Sequence, residues 1–336
     1  MTHPGRQTMM ALVGKVIDER YHITALIGEG GMGAVYKAER PDGPPVAIKV
    51  LHEELGDQEE LRARFEREAR ALFGLEHPNI LHVEDFGIVD GKPYIAMELL
   101  EGQPLDKMVE DGPLPPGLAF DIATQILNGL SYAHGQGALH RDLKTENVFV
   151  TRGPNGEWIA KLLDFGLVKF TDDERWGQSS KLTVTGAVFG TPAYMAPEQC
   201  AGAAVDSRAD VYSTGVILFE LFTGLWPFME ESRMDMFKAH LTTPPPHLAD
   251  VVEGWVPPPE LDAVIQKALG KMSKDRYQDA REMLAAFQQV PRPGQPQARP
   301  MMHGATPAKP FPLGLVLAGV GTLIVIALAA AFVLLS

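Results

Sequence analysis

The first third of the chain consists of short apolar runs that are typical of β-strands. Between Tyr21 and Glu98 these runs are rich in β-branched and aromatic residues and are separated by Gly, Pro or Asp. One helical pattern interrupts them over residues 58–75, where apolar side chains recur at helical spacing, and Pro78 then disfavours further helix. The predicted strands read YHITALIG, AVYKAE, PVAIKVL, ILHVEDFGI and PYIAMEL. The pattern therefore predicts a small β-rich lobe over about 18–100.

From about Leu105 onward the apolar spacing becomes helical. Residues 118–137 predict an amphipathic helix that ends in glycine, and residues 207–224 are apolar nearly all round, which indicates a buried helix. Further helices are predicted over 260–270 and 279–288. Strands followed by helices predict an α+β plan, with a larger helical lobe over about 101–290.

Both ends of the chain differ from this folded region. Residues 1–17 show no periodic pattern and are interpreted as a leader. Residues 291–311 are Pro-rich and hold three basic side chains and no acid, which predicts an extended linker. Residues 312–335 are almost wholly apolar and uncharged, long enough for a membrane-spanning helix, with a buried core helix as the alternative.

The charge that flanks the apolar segment indicates its orientation. Basic flanks stay on the cytoplasmic side, so we expect one pass through the cell (inner) membrane and a cytoplasmic folded region. The segment is then either a tail anchor or the link to an outer domain that the chain lacks. The net charge of −13 argues against a nucleic-acid partner. Cys200 is the only cysteine, which excludes a disulfide within the chain and fits a reducing compartment.

A glycine-rich stretch, GEGGMG at 28–33, has the spacing G-x-G-x-x-G, which alone is a weak signal. A dinucleotide site would need a helix to begin here, but β-type sequence follows, which favours a flap over phosphates. Lys49 lies in the next apolar run, VAIKV, where its charge needs a partner. Of two nearby acids, Glu66 and Glu68, we choose Glu68 because Leu72, four residues later, points inward.

The loop ALHRDLKTENVFV at 138–150 concentrates charge between two apolar ends. Together with the glycine flap, VAIK, DFG at 164–166, APE at 196–198 and the apolar helix DVYSTGVILFEL, it resembles the eukaryotic-type protein kinase family. The sequences GEGGMGAVYKAE and GTPAYMAPEQ are most similar to those of bacterial membrane-bound serine/threonine kinases. The resemblance covers roughly residues 18–290 and implies a bilobal protein kinase fold.

The resemblance implies a role for each charged group in the cleft. Asp142 would be the catalytic base, and Lys144 would neutralise charge on the transferring phosphoryl group. Asn147 and Asp164 would bind Mg²⁺, which Mn²⁺ can replace, and Lys49, fixed by Glu68, would hold the ATP phosphates. The remaining residues that would surround ATP are Ile27, Gly28, Glu29, Gly30, Gly31, Gly33, Val35, Ala47, Met97, Glu98 and Leu100, with Met97 as gatekeeper.

The same resemblance implies regulatory residues in the activation loop, roughly 167–195. Thr183 and Thr185 would be autophosphorylated in trans by a homodimer, and Arg141 would pair with the added phosphate. The alternative is that Thr183 and Thr185 have no regulatory role, because loops are commonly rich in Ser and Thr. Thr191 would belong to the P+1 loop, which receives the substrate residue after the phosphorylated one.

Other residues would support the site without taking part in the chemistry. Glu198 and Arg276 would form a buried ion pair, and Asp210 would hydrogen-bond the backbone of the catalytic loop. Thr145 departs from the family, which usually has Pro at this position. We expect Thr145 to leave an extra N–H to satisfy and to make the loop modestly less rigid, with its chemistry retained.

The function that the resemblance implies is ATP-dependent phosphorylation of Ser or Thr in protein substrates. Two alternatives remain: a membrane-tethered pseudokinase scaffold, and a small-molecule kinase of the same fold. The complete set of charged groups argues against the first, and the GTPAYMAPE stretch, which in the family docks peptides, argues against the second.

Overall fold

A computed structural model describes residues 12–30, 33–51, 69–70, 72–165 and 192–293. Several predicted features lie outside these ranges: the beginning of the leader, Gly31, Glu68, the activation-loop residues Thr183 and Thr185, Thr191, most of the linker and the apolar segment 312–335. Within the ranges that are described, no helix combines the length and apolar character needed to cross a bilayer.

The small lobe is built on a six-stranded antiparallel sheet with the order β1-β2-β3-β4-β6-β5. Its aromatic and β-branched side chains, among them Tyr36, Ile48 and Tyr94, form one core on the sheet. The five strands that the sequence predicts are confirmed. The bounds are β1 Val16–Ile17, β2 Tyr21–Gly30, β3 Gly33–Glu39, β4 Val46–Leu51, β5 Val83–Val89 and β6 Lys92–Glu98.

The small lobe begins earlier than the sequence pattern indicates. Strand β1, Val16–Ile17, pairs with β2, and Ile17 is fully buried, although both residues were assigned to the leader. Leu12 is also buried against the same core. A strand of two residues is too short to produce an alternating pattern, so only burial reveals it.

The large lobe is mainly helical, as the sequence predicts. Helix α4, Ser207–Thr223, is buried along nearly its whole length; the side chain of Asp206 caps its start, and Gly224, in the left-handed conformation at φ 72°, ends it. The longest helix among the described residues, α2 Pro116–Gly135, packs against α4 and against α7 Ala280–Phe287. The other helices are α1 Leu105–Val109, α3 Pro197–Cys200, α5 Arg233–Thr242 and α6 Pro259–Ala268.

A three-stranded antiparallel sheet that the sequence analysis did not predict lies in the large lobe. Its strands are β7 Gly102–Pro104, β8 Val148–Arg152 and β9 Trp158–Leu162, in the order β7-β8-β9. The hairpin β8–β9 connects the charged loop at its start to Asp164 at its end. Leu162 exchanges backbone hydrogen bonds of 2.9 Å with the segment that precedes β5, through Asn79 and Leu81. This sheet therefore brings two distant charged segments to one place.

Candidate active site

Lys49 and Asp164 meet between β4 and the segment that follows β9. The Nζ atom of Lys49 lies 2.7 Å from each carboxylate oxygen of Asp164. Lys49 is held in this position because β4 is central, paired with β3 on one side and β6 on the other. Burial alone would raise the pKa of Asp164, but Lys49, with His140 and Lys144, holds that pKa below its usual value. Asp164 is therefore an ionised carboxylate.

The charged loop folds back on itself around Asp142. The Nδ2 atom of Asn147 donates to the backbone carbonyl of Asp142 at 2.8 Å and to its Oδ2 atom at 3.2 Å. The Nζ atom of Lys144 lies 3.9 Å from the same Oδ2 atom. The carbonyl of Asn147 accepts the N–H of Leu163 at 2.8 Å, which places the loop beside Asp164. The structure thus groups Asp142, Lys144 and Asn147 in one loop and ties that loop to the segment of Asp164.

Buried polar groups of the large lobe fix the backbone of this loop. The carboxylate of Asp210, in α4, accepts hydrogen bonds from the backbone N–H groups of His140 and Arg141, each at 2.8 Å. It also lies 3.0 Å from the Nε2 atom of His134. Burial would raise the pKa of Asp210, but its bonds with His134 and its position near His140 lower that pKa. Asp210 is therefore a buried anion that holds the loop backbone.

Arg141 is in the left-handed conformation, with φ 63°, which is uncommon for a residue other than glycine. Its peptide is held on both sides, because Asp210 accepts from its N–H and the Nε2 atom of Gln199 donates to its carbonyl at 2.8 Å. Sequence reasoning missed Gln199, and the only signal for it was its place directly after APE.

The residues that the sequence predicts around the nucleotide lie mostly in the small lobe. Ala47 pairs with Met97 across β4 and β6, and both side chains are buried. Val35 pairs with Gly28 on one side and with Lys49 on the other, so the first glycine of the glycine-rich stretch and the lysine lie on the two strands that flank β3. Gly33 is required by close packing, because a Cβ atom there would lie 2.1 Å from the carbonyl oxygen of Val50.

The ends of the predicted nucleotide set lie at the cleft margins. Ile27 and Glu29 are exposed on β2, and Gly30 ends that strand. Leu100 lies between the two lobes, directly after β6. Among the described members of the set, the strand pairing places Val35 next to Lys49 and Ala47 next to Met97.

Glu98 at the end of β6 is more constrained than the sequence suggested. Its N–H donates to the carbonyl of His82 at 3.0 Å, and its Oε1 atom accepts from the N–H of His82 at 2.8 Å. The same carboxylate oxygen lies 2.7 Å from the Nζ atom of Lys161. The side chain and the N–H of Glu98 are therefore both engaged within the protein.

Asp164 and Asn147 have the donor chemistry of a magnesium site. Mg²⁺ prefers oxygen ligands and is usually held by one or two protein side chains together with substrate phosphates. The carboxylate of Asp164 and the amide oxygen of Asn147 supply such ligands, because Asn147 directs its Nδ2 atom toward Asp142. These two residues therefore fit the predicted cation, next to the positive charge of Lys49.

Glu198 and Arg276 form a bidentate ion pair beneath the APE segment. The Nη1 and Nη2 atoms of Arg276 lie 2.8 and 2.9 Å from the two carboxylate oxygens of Glu198. The guanidinium also donates to the carbonyls of Gly270, Arg208 and Lys271, so its charge is fully hydrogen-bonded although it is buried. The pair links α3 to the segment before α7.

Thr145 forms a side-chain bond that proline could not form. Its side chain is fully buried, and its hydroxyl lies 2.8 Å from the hydroxyl of Tyr194 in the turn Pro192–Tyr194. The sequence predicted a looser loop at this position. The structure instead shows an added contact between the loop and the segment that follows Thr191.

Comparison with known proteins agrees with this geometry. Residues 21–286 match the protein kinase domain family. Over 282 residues the chain is 43% identical to serine/threonine-protein kinase pkn3 of Myxococcus xanthus, covering 83% of this chain and 51% of pkn3. Over 300 residues it is 37% identical to serine/threonine-protein kinase PknH of Mycobacterium tuberculosis, covering 87% of this chain and 46% of PknH.

The chain therefore spans about half the length of these two relatives. Among solved structures, the PknI kinase domain of Mycobacterium tuberculosis superposes with a TM-score of 0.62 and 31% identity, covering 82% of this chain and 98% of that domain. The match of the domain family over most of the chain, together with the paired charges in the cleft, assigns the fold. The chain belongs to the protein kinase family.

Proposed function

We propose that the chain is a serine/threonine protein kinase that transfers the γ-phosphoryl group of ATP to Ser and Thr hydroxyls of proteins. One observation carries the proposal: Lys49 and Asp164 are in contact, and the loop that holds Asp142 and Asn147 is bonded to the segment of Asp164. Phosphoryl transfer requires mainly positioning and charge stabilisation, and this cluster supplies groups of both signs.

Each residue of the cluster has a task in this reaction. Asp142 accepts a hydrogen bond from the substrate hydroxyl and orients its oxygen toward the γ-phosphorus of ATP. As the new O–P bond forms, the bond from this phosphorus to the β–γ bridging oxygen breaks, ADP leaves, and Asp142 takes the hydroxyl proton. Asn147 holds the Asp142 side chain by the bond at 3.2 Å. Lys144, close to Asp142, offsets the negative charge that grows on the transferring group. When bound by Asp164 and Asn147, a magnesium ion would neutralise the phosphate oxygens.

The acceptor class is supported by two observations. Lys144 follows Asp142 by two positions, as in the Ser/Thr members that the sequence resembles. The relatives pkn3 and PknH carry the name serine/threonine-protein kinase. The complete set of charged groups in the cleft argues against a pseudokinase. The turn Pro192–Tyr194, hydrogen-bonded to Thr145, favours a protein acceptor over a small molecule.

The test is a phosphorylation assay of the full chain with γ-labelled ATP, Mg²⁺ and a generic protein substrate such as casein. We expect label on phosphoserine and phosphothreonine, and a loss of at least about a hundredfold in Asp142→Asn because the base is lost. Asp250→Asn, at an exposed acid of the same lobe, is the matched control. Label mainly on tyrosine, or equal rates for Asp142→Asn and the wild-type chain, would refute the proposal.

Autophosphorylation of Thr183 and Thr185 is the regulatory part of the proposal. Both lie outside the described residues, so the support is their T-x-T spacing and the presence of Arg141 directly before Asp142. Mixing active chain with a tagged Asp142→Asn chain tests the reaction in trans, and hence a transient homodimer. Mass spectrometry should find phosphate at both threonines of the inactive chain; bare threonines in active enzyme would contradict it.

Residues 312–335 are proposed as a single membrane-spanning helix, with the kinase domain in the cytoplasm. The support is compositional: no charge occurs in this segment, and basic residues precede it. Expressed in bacteria, the full chain should sediment with membranes and resist carbonate extraction, whereas a chain that ends at Gln295 should be found in the supernatant. Equal distribution of the two chains would contradict the anchor.

A further inference from the structure

A buried chain of hydrogen bonds runs from the catalytic loop to the end of α4. The hydroxyl of Thr145 lies 2.8 Å from the hydroxyl of Tyr194, which in turn lies 2.6 Å from Oε2 of Glu220. The Nε1 atom of Trp226 lies 3.0 Å from the Tyr194 hydroxyl and 3.1 Å from Oε1 of Glu220. Thr145, Tyr194 and Glu220 are all buried, so these bonds do not compete with water.

The direction of the bonds follows from the number of hydrogens available. Tyr194 has one hydroxyl hydrogen, and the short contact with the Glu220 carboxylate uses it. The indole of Trp226 can only donate, so it donates to the Tyr194 oxygen and to Glu220. Thr145 must then donate its hydrogen to the Tyr194 oxygen. This series of hydrogen bonds thus ends on the buried carboxylate of Glu220, and each residue in it has a defined role as donor or acceptor.

Both ends of this series of hydrogen bonds lie in regular secondary structure: one in helix α4 and the other in the turn Thr145–Asn147. Glu220 is part of the buried helix α4. The hydroxyl of Ser213, which lies in the same helix, donates a hydrogen bond to the carbonyl of Tyr194 at 2.8 Å. Tyr194 is therefore held by α4 through its backbone and its side chain. Thr145 is the first residue of the turn Thr145–Asn147, so its position determines that of Asn147. Asn147 in turn donates a hydrogen bond to the Asp142 side chain.

We propose that Thr145 is a positioning residue, which aligns the turn carrying Asn147 with the substrate-side segment 192–194 through its hydrogen bond to Tyr194. The inference rests on the proposed kinase function and assigns to that site a residue that supports the base indirectly. A misplacement of the loop would change the orientation of Asp142 toward the acceptor and the position of Asn147, while the small-lobe residues around ATP stay in place.

The backbone explains how this position can hold either residue type. Lys144 is extended, with φ −162° and ψ 167°, which is the conformation favoured before proline, and Thr145 is the first residue of the turn, where proline is tolerated. Proline would fix the turn through its ring. Thr145 lacks that restriction and has instead a hydroxyl that fixes the turn through Tyr194.

The test is a double-mutant cycle in the full chain, with Thr145→Val, Tyr194→Phe and both together, measured at pH 8 with a peptide acceptor. We expect Thr145→Val to lower kcat about fivefold to thirtyfold at saturating ATP and Mg²⁺, because the turn that carries Asn147 and orients Asp142 is misaligned. Thr145→Ser keeps the hydroxyl and should restore kcat. In the Tyr194→Phe background, Thr145→Val should have little further effect, since the bond is already lost.

Thr24→Val is the matched control, because this threonine also donates a side-chain hydrogen bond, to the carbonyl of Lys37 at 3.2 Å, but lies in the small lobe. Thr145→Ala serves as a second variant if valine prevents folding, as judged by circular dichroism. Fully additive losses in the cycle, an unchanged kcat in Thr145→Val or Thr145→Ala, or failure of Thr145→Ser to restore kcat would each overturn the inference.

The comparison with Asp142→Asn separates this inference from the proposed function. If the wild-type chain is no more active than Asp142→Asn, the kinase function itself is refuted, and the inference is refuted with it. If the wild-type chain is active and Thr145→Val matches it, only the role of Thr145 is refuted.

Discussion

The ammonium group of Lys49 contacts both carboxylate oxygens of Asp164 at 2.7 Å, although the two residues are 115 positions apart in the chain. The contact joins the central strand of the small lobe to the segment after the hairpin of the large lobe. It also keeps Asp164 ionised in a place where burial would favour the neutral acid. The contact thus joins the lysine of the cleft directly to a proposed metal ligand.

Replacement of Lys49 should therefore impair catalysis strongly. We expect Lys49→Met to lower kcat/KM for ATP about a hundredfold to a thousandfold, because a group that stabilises charge in the transition state is lost. Lys49→Arg keeps the charge but changes its geometry and should restore little. Initial rates measure the effect, with Lys107→Met, in an exposed pair with Glu110, as the control. Near-normal activity in Lys49→Met would refute this role.

The pair of Glu198 and Arg276 predicts a large effect on stability. Removal of one partner, as in Arg276→Met, leaves a carboxylate largely buried without its cation, which typically costs about 3–5 kcal/mol. The double variant Glu198→Met/Arg276→Met should lose less than the sum of the single variants. Urea unfolding of residues 1–295 measures these differences. Arg281→Ala, at an exposed pair with Asp279, should change the free energy of unfolding by less than about 0.5 kcal/mol; equal losses in both arginine variants would contradict the prediction.

His240, on α5, predicts a loss of stability in acid. Its Nδ1 atom is 2.8 Å from the hydroxyl of Tyr212, and burial, with Lys271 nearby, lowers its pKa from 6.5 to about 4. The unfolded chain therefore binds a proton at higher pH than the folded chain does. The contribution of neutral His240 to the free energy of unfolding is fully present above pH 6.5 and is lost as the pH falls through about 4. The total loss is up to about 3 kcal/mol. Thermal melts should show a shallower fall from pH 6.5 to 4.5 in His240→Gln than in the wild type; parallel curves would contradict this.

Glu220 predicts a pH dependence of stability with the opposite sign to that of His240. Burial raises its pKa from 4.5 to about 7, although Tyr194 and Trp226 donate hydrogen bonds to it. The folded chain then binds a proton that the unfolded chain has released, so this contribution is fully present below pH 4.5 and is lost as the pH rises through about 7. Glu220→Gln should therefore gain stability relative to the wild type between pH 5 and pH 8. Melting temperatures over that range test the sign, and an unchanged difference across it would refute the prediction.

Local sequence patterns predicted the elements that have strong periodicity or a sharp motif. Five of the six strands of the small lobe and the buried helix α4 are predicted correctly because their apolar spacing extends over many residues. The sheet β7-β8-β9 was missed because β7 has only three residues and includes Gly and Pro, which are atypical of strands. Strand β1 was missed for the same reason of length.

The charged groups of the site followed from motif spacing, but their supports did not. Nothing in the local sequence pairs Thr145 with Tyr194 or Tyr194 with Glu220, because these contacts depend on how the loop, the turn and α4 pack together. Similarly, the sequence predicts Glu98 only as one of the residues around ATP, and its hydrogen bonds with Lys161 and His82 appear only in three dimensions. Motifs therefore indicated which groups react, and tertiary packing determined how they are held.

Arg292, which the sequence analysis assigned to the linker, is bonded to the kinase domain. Its Nη1 atom lies 2.8 Å from Oδ1 of Asp121 and its Nη2 atom 2.7 Å from Oγ1 of Thr124, both on α2, and its guanidinium lies over the ring of Phe120 at 5.7 Å. These contacts fix the chain to the side of α2 at the point where the predicted linker begins.

A chain that ends at Val290 should therefore be less stable than one that ends at Gln295, by roughly 1 kcal/mol, because it lacks a partly exposed ion pair and a cation–π contact. Arg292→Ala in the longer chain should remove the difference, whereas Arg292→Lys should keep only part of it, since lysine cannot bond to Asp121 and Thr124 at once with a planar group. Urea unfolding of the four chains under one set of conditions measures this. If Arg292→Ala is as stable as the chain ending at Gln295, the contacts with α2 do not stabilise the domain, and the linker begins where the apolar pattern ends.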